Sequence, residues 1–99
     1  FINISSRLGS IGDNDSGDDF GYRMSKAAQN MLTSNLAIEL GKEGVHVAAI
    51  HPGIVATGMT AGVGTPTADV ALDILKVING LNAERSGQFL NRHGLVLPW

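Results

Sequence analysis

Hydrophobic and polar positions along the chain form five blocks, which predict three strands separated by two helices. The segments FINIS and VHVAAI are short and rich in bulky or β-branched residues, as strands are. Residues 22–40 contain neither glycine nor proline and are dominated by Ala, Met, Leu and Gln, so they predict a helix. The segment TADVALDILKVING predicts a second helix, and GQFLN predicts a third, short strand.

Capping residues indicate where both helices end. Gly41 stands where a C-cap glycine is expected for the first helix. For the second helix, Thr65 is the predicted N-cap and Pro66 the first helical residue, and Asp69 in the first turn suits the helix dipole. Gly80 is the predicted end of this helix. The two longest connections are rich in glycine and small polar residues, as loops are.

The order strand, helix, strand, helix, strand predicts an α/β fold. Alternation of this kind is typical of βαβ units, in which helices cover the faces of a parallel sheet. Five of the six residues of VHVAAI are apolar, as expected for a strand that is covered on both faces. No internal repeat or linker divides the chain, so residues 1–99 are expected to form part of one domain.

Composition and charge narrow the classes of function. The net charge is −2 and there is no run of lysine or arginine, which argues against binding to nucleic acid or to a membrane surface. The chain has no cysteine and its three histidines are far apart, so neither a disulfide framework nor a metal site is expected. No apolar stretch reaches the ~20 residues of a membrane span and no signal peptide is visible, so we expect a cytoplasmic protein.

The first residues indicate a longer parent protein. The chain opens on Phe1 inside an apolar stretch with strand character and without a lead-in. A domain rarely begins within a strand, so we expect this chain to be the C-terminal part of a longer protein.

Tyr22 and Lys26 lie four residues apart, at the spacing that brings two side chains onto one face of a helix. A cation within ~4–6 Å favours the phenolate, which is the form of tyrosine that accepts a proton. The alternative is that Lys26 is an ordinary solvated charge. On the opposite side of the helix lies an apolar stripe, so that one stripe can pack while the other faces a cleft or a neighbour. The stripe consists of Met24, Ala28, Met31 and Ile38.

A hydroxyl near the reacting atoms would complete such a site. Ser5 and Ser6 end the first strand, and catalytic groups in open α/β sheets gather beyond the carboxyl ends of strands. Pro52 and Gly53 end the next strand and would lie at the same edge. The alternatives are that the serines cap a turn and that Pro-Gly merely terminates a strand.

Three motifs together resemble the short-chain dehydrogenase/reductase family. INISS, YRMSK and HPGIVATGM are similar, in this order, to its catalytic serine strand, its Tyr-x-x-x-Lys helix and its Pro-Gly turn. The segments SSRLGSIGDN and GQFLNRHGLVLPW further resemble the C-factor and sniffer type of carbonyl reductases. The resemblance covers the whole chain and implies the C-terminal part of a Rossmann-like, doubly wound parallel sheet. It also implies an NAD(P)-dependent oxidoreductase of the carbonyl reductase or alcohol dehydrogenase type.

The resemblance implies a role for each matching residue. Tyr22 would exchange a proton with the substrate oxygen, and Lys26 would favour the ionised tyrosine and hydrogen-bond the nicotinamide ribose. Ser6, favoured over Ser5, would hold the substrate oxygen. The nicotinamide would contact the turn after the second strand, and the segment 58–65 would cover the substrate. The residues of that turn are Pro52, Gly53, Ile54 and Thr57, the last of them binding the carboxamide.

The chain lacks the early part of the family pattern. No Gly-x-x-x-Gly-x-Gly loop for the cofactor pyrophosphate is present, nor the residue that selects NAD or NADP. NADP is slightly favoured by the resemblance. The implied partner is a small carbonyl or alcohol substrate, and a homo-oligomer of the full-length protein is compatible with the family. The alternative to an oxidoreductase is a non-catalytic remnant or association module of the same fold.

Overall fold

Three parallel strands and two helices form the main body of the protein. The computed structural model describes residues 1–99. Short 3-10 turns at Arg7–Gly9 and Gly58–Thr60 follow the first and third strands. The elements in chain order are β1 Ile2–Ile4, α1 Phe20–Gly41, β2 Ala48–His51, β3 Val55–Ala56, β4 Thr65–Pro66, α2 Thr67–Asn79 and β5 Phe89–Asn91.

Strand β2 lies at the centre of the three-stranded sheet, between β1 and β5. Both pairings are parallel, with Ile2 opposite Ala48 and Ala49 opposite Phe89. Residues 47–50 are fully buried. The flanking strands, helix α1 and the C-terminal tail surround this segment. The predicted α/β order and the parallel sheet are therefore confirmed. The pairing of β3 with β4 in a separate two-stranded parallel sheet was not predicted.

The end of α1 lies beyond the predicted C-cap. Gly41 is still helical, and the chain reaches the left-handed conformation only at Gly44, where φ is 77°. The Val45 N–H then donates to the Leu40 carbonyl (3.0 Å), as in a Schellman motif with Gly44 at the position after the cap. The predicted C-cap at Gly41 is therefore wrong: the cap is Lys42, and Gly44 supplies the left-handed residue that ends the helix. The helix also begins two residues earlier than predicted, at Phe20.

The start of α2 differs from the prediction by one residue. The Thr65 N–H donates to the Ile54 carbonyl (2.8 Å), so Thr65 belongs to strand β4 and cannot cap the helix. Pro66 is the N-cap and Thr67 the first helical residue. Asp69 lies in the first turn, as predicted. The preceding strand pairing therefore determines this helix boundary.

Helix α1 packs onto the sheet through its polar face. Thr33 and Asn30 are buried, and the Asn3 side-chain amide donates to Thr33 Oγ1 (2.8 Å). The apolar stripe faces outward, with Met24 70% and Met31 64% exposed. Of the two stripes predicted for α1, the polar one therefore packs on the sheet and the apolar one is left to face a cleft or a neighbour. Neither helix has the length and hydropathy that a membrane-spanning helix requires.

The C-terminal residues fold back against β5 and complete the core. The Leu97 N–H donates to the Phe89 carbonyl (2.7 Å), and the Trp99 ring stacks on the Phe89 ring with centroids 5.5 Å apart. Ala49, Phe89 and Leu97 form the buried apolar cluster. The Ser10 hydroxyl donates to the Pro98 carbonyl (2.6 Å), which fixes the loop after β1 to this tail.

Candidate functional site

The two serines at the end of β1 have different surroundings. The Ser5 side chain is buried, and its hydroxyl donates to Asn30 Oδ1 (2.6 Å) on α1. Ser6 is partly exposed and is the N-cap of the 3-10 turn that follows, where its Oγ accepts a hydrogen bond from the Leu8 N–H (3.1 Å). The Ser6 hydroxyl proton has no acceptor within the chain, so it is available to a bound oxygen.

Lys26 lies beside Tyr22 on α1, at the predicted i, i+4 spacing. Its Nζ is 5.7 Å from the centroid of the Tyr22 ring, within the range of a cation–π contact. The same ammonium donates to the Gln29 Oε1 (3.2 Å) and to the Ile4 carbonyl (3.4 Å) at the end of β1. Tyr22 is 41% exposed, so its hydroxyl is accessible to a small molecule. The lysine is therefore held between Tyr22 and the end of β1, the strand that leads into Ser5 and Ser6.

A glycine brings the serine turn against this helix. A Cβ at Gly9 would lie 2.7 Å from the Lys26 Cβ and 2.8 Å from the Lys26 carbonyl carbon, closer than such atoms approach. Only glycine lets the turn after Ser6 contact the helix backbone at Lys26. This contact sets the distance between the serine strand and the Tyr22–Lys26 face.

The Pro52–Gly53 turn lies beside the serine strand at the same edge of the sheet. The Ser5 N–H donates to the Ile50 carbonyl (2.8 Å), and the Arg7 N–H donates to His51 Nδ1 (2.9 Å). Gly53 has a φ of 78°, a left-handed conformation that glycine adopts without strain. The carboxyl ends of β1 and β2 therefore meet, as the sequence predicted for these two motifs.

The segment that follows the turn is held by backbone hydrogen bonds. Ile54 is exposed, and its carbonyl accepts from Thr65 across the segment. A Cβ at Gly64, where φ is 118°, would lie 2.4 Å from that carbonyl oxygen, so glycine is required there. The Thr57 N–H donates to Thr60 Oγ1 (3.1 Å) at the start of the second 3-10 turn. Residues 58–65 thus form a closed loop at this edge.

Arg92, which the sequence analysis did not single out, joins three parts of this edge. Its Nη1 donates to the Pro52 carbonyl (3.3 Å) and to Thr65 Oγ1 (3.0 Å). Its Nε forms an ion pair with Asp73 Oδ2 on α2 (3.3 Å). No local sequence signal identifies Arg92, because its partners come from segments 19 to 40 residues away in the chain.

His51 also lies at this edge, half-buried between two arginines. Burial lowers its pKa below the ordinary value of 6.5, and the charges of Arg7 and Arg92 lower it further. Because Nδ1 accepts the Arg7 N–H, the proton of the neutral ring is on Nε2. The sequence alone gave His51 no chemical role.

Both the sequence and the fold are similar to those of known proteins. Residues 1–68 match the family model described as short chain dehydrogenase. The chain therefore belongs to the short-chain dehydrogenase/reductase family, as the three motifs predicted.

Individual relatives agree with this assignment. The chain is 41% identical over 97 residues to C-signal of Myxococcus xanthus, a match that covers 97% of this chain and 58% of that protein. The structure resembles carbonyl reductase Sniffer of D. melanogaster, with a TM-score of 0.91 at 36% identity over 99% of this chain and 40% of that one. An NADPH-bound carbonyl reductase from chicken fatty liver has a TM-score of 0.85 at 39% identity, covering 99% and 42%. The chain thus spans roughly half the length of these relatives.

The residues present fit one end of a nicotinamide cofactor. Gly53 in its left-handed conformation opens the turn after β2, and Ile54 next to it offers an exposed apolar surface. A planar aromatic ring can pack against such a surface. The glycine-rich loop that the family uses for the pyrophosphate is not among the 99 residues. The fit therefore concerns the nicotinamide end alone.

Proposed function

We propose that the full-length protein is an NAD(P)-dependent oxidoreductase that interconverts carbonyl compounds and alcohols, with NADP the favoured cofactor. In this proposal residues 1–99 are the C-terminal catalytic portion of a single Rossmann-fold domain. The observation that carries it is the position of Lys26, held between the Tyr22 ring and the end of the serine strand. Membership of the short-chain dehydrogenase/reductase family supports the same reaction class.

Tyr22 is the proposed acid and base. Its hydroxyl donates a proton to the substrate oxygen when a carbonyl is reduced and accepts one when an alcohol is oxidised. The Lys26 ammonium favours the phenolate by its charge and is held in place by Gln29 and the Ile4 carbonyl. This arrangement explains why the phenol and the ammonium occupy neighbouring turns of one helix.

Ser6 is the proposed partner of the substrate oxygen. Ser5 is the weaker candidate, because its hydroxyl proton is already donated to Asn30 inside the protein. The Ser6 Oγ is oriented by the Leu8 N–H and retains a proton to donate. The choice that the sequence left open therefore favours Ser6.

The turn after β2 is the proposed cofactor contact. Pro52, Gly53 and Ile54 would lie against the nicotinamide, and Thr57, which is exposed, would bind its carboxamide. When bound, the cofactor supplies or accepts the hydride. Arg92 keeps this turn in place through the Pro52 carbonyl.

Replacement of Tyr22 by Phe in the full-length protein tests the proposal. We expect kcat for NADPH-dependent reduction of a carbonyl substrate to fall by ~10²–10⁴, since the proton donor is lost. The affinity for NADPH, measured by fluorescence titration, should stay within about twofold of the wild type. Phe20→Leu is the matched control, since Phe20 is an exposed aromatic residue two positions earlier. Unchanged turnover in Tyr22→Phe would remove Tyr22 from the mechanism.

A non-catalytic association module is the second candidate, favoured by the exposed apolar stripe of α1. It predicts that substitutions at Tyr22 and Ser6 leave the function of the protein unaffected, whereas Met24→Lys abolishes association. Turnover that depends on Tyr22 would rule this candidate out. The same stripe would also serve a homo-oligomer of the enzyme, which sedimentation of the full-length protein would reveal.

A further inference from the structure

A crevice of about 410 Å³ lies next to the Pro52–Gly53 turn and is lined by basic residues. Arg7, His51, Arg92 and His93 contribute to its wall, and no carboxylate does. Two of the four carry a permanent guanidinium charge. A concavity lined by two guanidinium groups and two imidazoles, and by no carboxylate, offers hydrogen-bond donors to an anionic ligand.

The crevice adjoins the turn that follows Ser6 and the proposed cofactor contact. Arg7 follows Ser6 directly in the chain, and Gly53 and Ile54 of the proposed cofactor contact line the same wall. Gly64, at the end of the loop 58–65, lines the crevice as well. A ligand in the crevice would therefore extend from the position where the substrate oxygen is held.

Both guanidinium groups are ion-paired and still have donors to spare. Arg7 is paired through Nε with Asp13 (3.5 Å), and neither of its Nη atoms has a hydrogen-bond partner in the chain. Arg92 uses Nε for Asp73 and Nη1 for Pro52 and Thr65, which leaves Nη2 free. Asp13 and Asp73 do not line the crevice. The free N–H groups match the geometry of a carboxylate or phosphate.

The electrostatic environment of His51 agrees with this geometry. Burial lowers the pKa of His51, and the charges of Arg7 and Arg92 lower it further, so both guanidinium groups lie close enough to act on the ring. The neutral ring keeps its Nε2–H as one more donor.

We propose that this crevice binds the anionic group of the substrate, so that the protein acts on carbonyl compounds or alcohols that carry a carboxylate or a phosphate away from the reacting carbon. This inference rests on the proposed oxidoreductase function. Arg7 and Arg92 bind the anion, while Ser6 and Tyr22 hold the reacting oxygen at the adjoining end.

A pair of aldehydes that differ only in charge tests the proposal in the full-length protein. The probes are 4-carboxybenzaldehyde and its uncharged methyl ester, with NADPH oxidation followed spectrophotometrically. We expect kcat/KM to be at least tenfold higher for the acid, and 4-formylphenyl phosphate shows whether the crevice prefers phosphate. In Arg7→Gln the preference for the acid over the ester should fall at least tenfold. Arg92→Gln should do the same, but it also loses the contact with Pro52.

Arg23→Gln is the matched control, because Arg23 lies outside the crevice. Its side chain donates hydrogen bonds only to the Asp18 carbonyl and the Ser16 hydroxyl. It should keep the preference for the acid. Equal use of acid and ester by the wild type, or a preference that survives in Arg7→Gln, would overturn the proposal.

A binding measurement separates this inference from the proposed function. Calorimetric titration with 4-(hydroxymethyl)benzoate, in the presence of NADPH, with which this alcohol cannot react, should show binding to the wild type that Arg7→Gln weakens at least tenfold. Binding of this kind without turnover of either aldehyde would refute the proposed reaction and leave the anion site supported. Turnover of both aldehydes without this binding preference would refute the anion site alone.

Discussion

Ser5 and Ser6 are neighbours in sequence, yet their hydroxyls have different bonds available to them. Successive side chains of an extended segment point to opposite sides, so Ser5 reaches Asn30 in the interior while Ser6 stays at the edge. In helix α1 a spacing of two residues, about 200° around the helix axis, separates Thr33, buried against the sheet, from Met31 on the outer face. Position relative to the sheet, more than residue type, decides which polar groups are free for chemistry.

Replacement of Lys26 tests its proposed contact with the nicotinamide ribose. We expect Lys26→Met to weaken NADPH binding by about tenfold or more, the cost of losing a charge-assisted hydrogen bond to the cofactor ribose. Lys42→Met is the control, because Lys42 pairs only with Glu39 at the exposed end of α1. Fluorescence titration of both full-length variants measures the difference. Equal affinities in the two variants would contradict the assigned role.

The lowered pKa of His51 makes stability depend on pH. Above about pH 6.5 the ring is neutral in both the folded and the unfolded state, so it causes no penalty. As the pH falls below 6.5 the unfolded state binds a proton that the folded state resists, and stability is lost until the lowered pKa is passed. We expect the urea midpoint of the full-length protein to decrease over this window.

The effect should disappear in His51→Gln, which does not titrate and keeps an acceptor for the Arg7 N–H. His46→Gln is the control and should retain the pH dependence of the wild type. The same pH dependence in the wild type and His51→Gln would show that His51 does not cause it.

At the scale of elements, the close approach of the turn Arg7–Gly9 to α1 is possible because Gly9 has no side chain. Gly9 permits backbone contact at Lys26 in a region where a Cβ would overlap the helix. The hydrogen bonds from Lys26 and Gln29 to the Ile4 carbonyl add to this contact. The relative position of the two motifs is therefore a property of packing between elements.

We expect Gly9→Ala to destabilise the full-length protein by roughly 1–3 kcal/mol, the usual cost of overpacking a close contact. Turnover should fall as well, because the serine turn must move away from Lys26. Gly41→Ala, in the last turn of α1 with open space around it, should be neutral or stabilising by up to about 1 kcal/mol. Chemical denaturation of both variants measures the contrast. Equal stability would show that the turn can shift without cost.

At the scale of the whole molecule, these 99 residues expose more surface than a self-sufficient domain does. The accessible surface is 6020 Å², whereas a folded monomer of this mass, 10.3 kDa, is expected to expose about 5,400 Å². Strand β1 pairs only with β2, so its other edge presents unpaired backbone donors and acceptors. Apolar side chains on both helices are exposed as well. They include Met24, Met31, Ile38, Leu72 and Leu75.

We therefore expect the 99-residue chain, expressed alone, to associate and to bind neither NADH nor NADPH at micromolar concentration. The free sheet edge and the apolar helix faces favour association, and the pyrophosphate loop is not part of the chain. Light scattering and calorimetric titration test the two expectations. A monodisperse monomer that unfolds cooperatively and binds cofactor would contradict both.

Local patterns in the sequence determined the three strands and two helices of the main body, their order and the family. The strand β2 could be predicted because a buried parallel strand is a continuous apolar run. The spacing of Tyr22 and Lys26 predicted their proximity, since four residues make about one helical turn. The order of the motifs predicted that Ser6 and the Pro52–Gly53 turn lie close together, because parallel strands end at one edge of a sheet.

The tertiary structure alone decided which partners these residues have. The pairing of Thr65 with Ile54 moved the start of α2, and the left-handed Gly44 moved the end of α1. The different bonding of Ser5 and Ser6 depends on a hydrogen bond from Ser5 across 25 residues. The basic crevice joins Arg7 to Arg92 across most of the chain. Such contacts arise from packing between distant segments, and no local pattern of residue types encodes them.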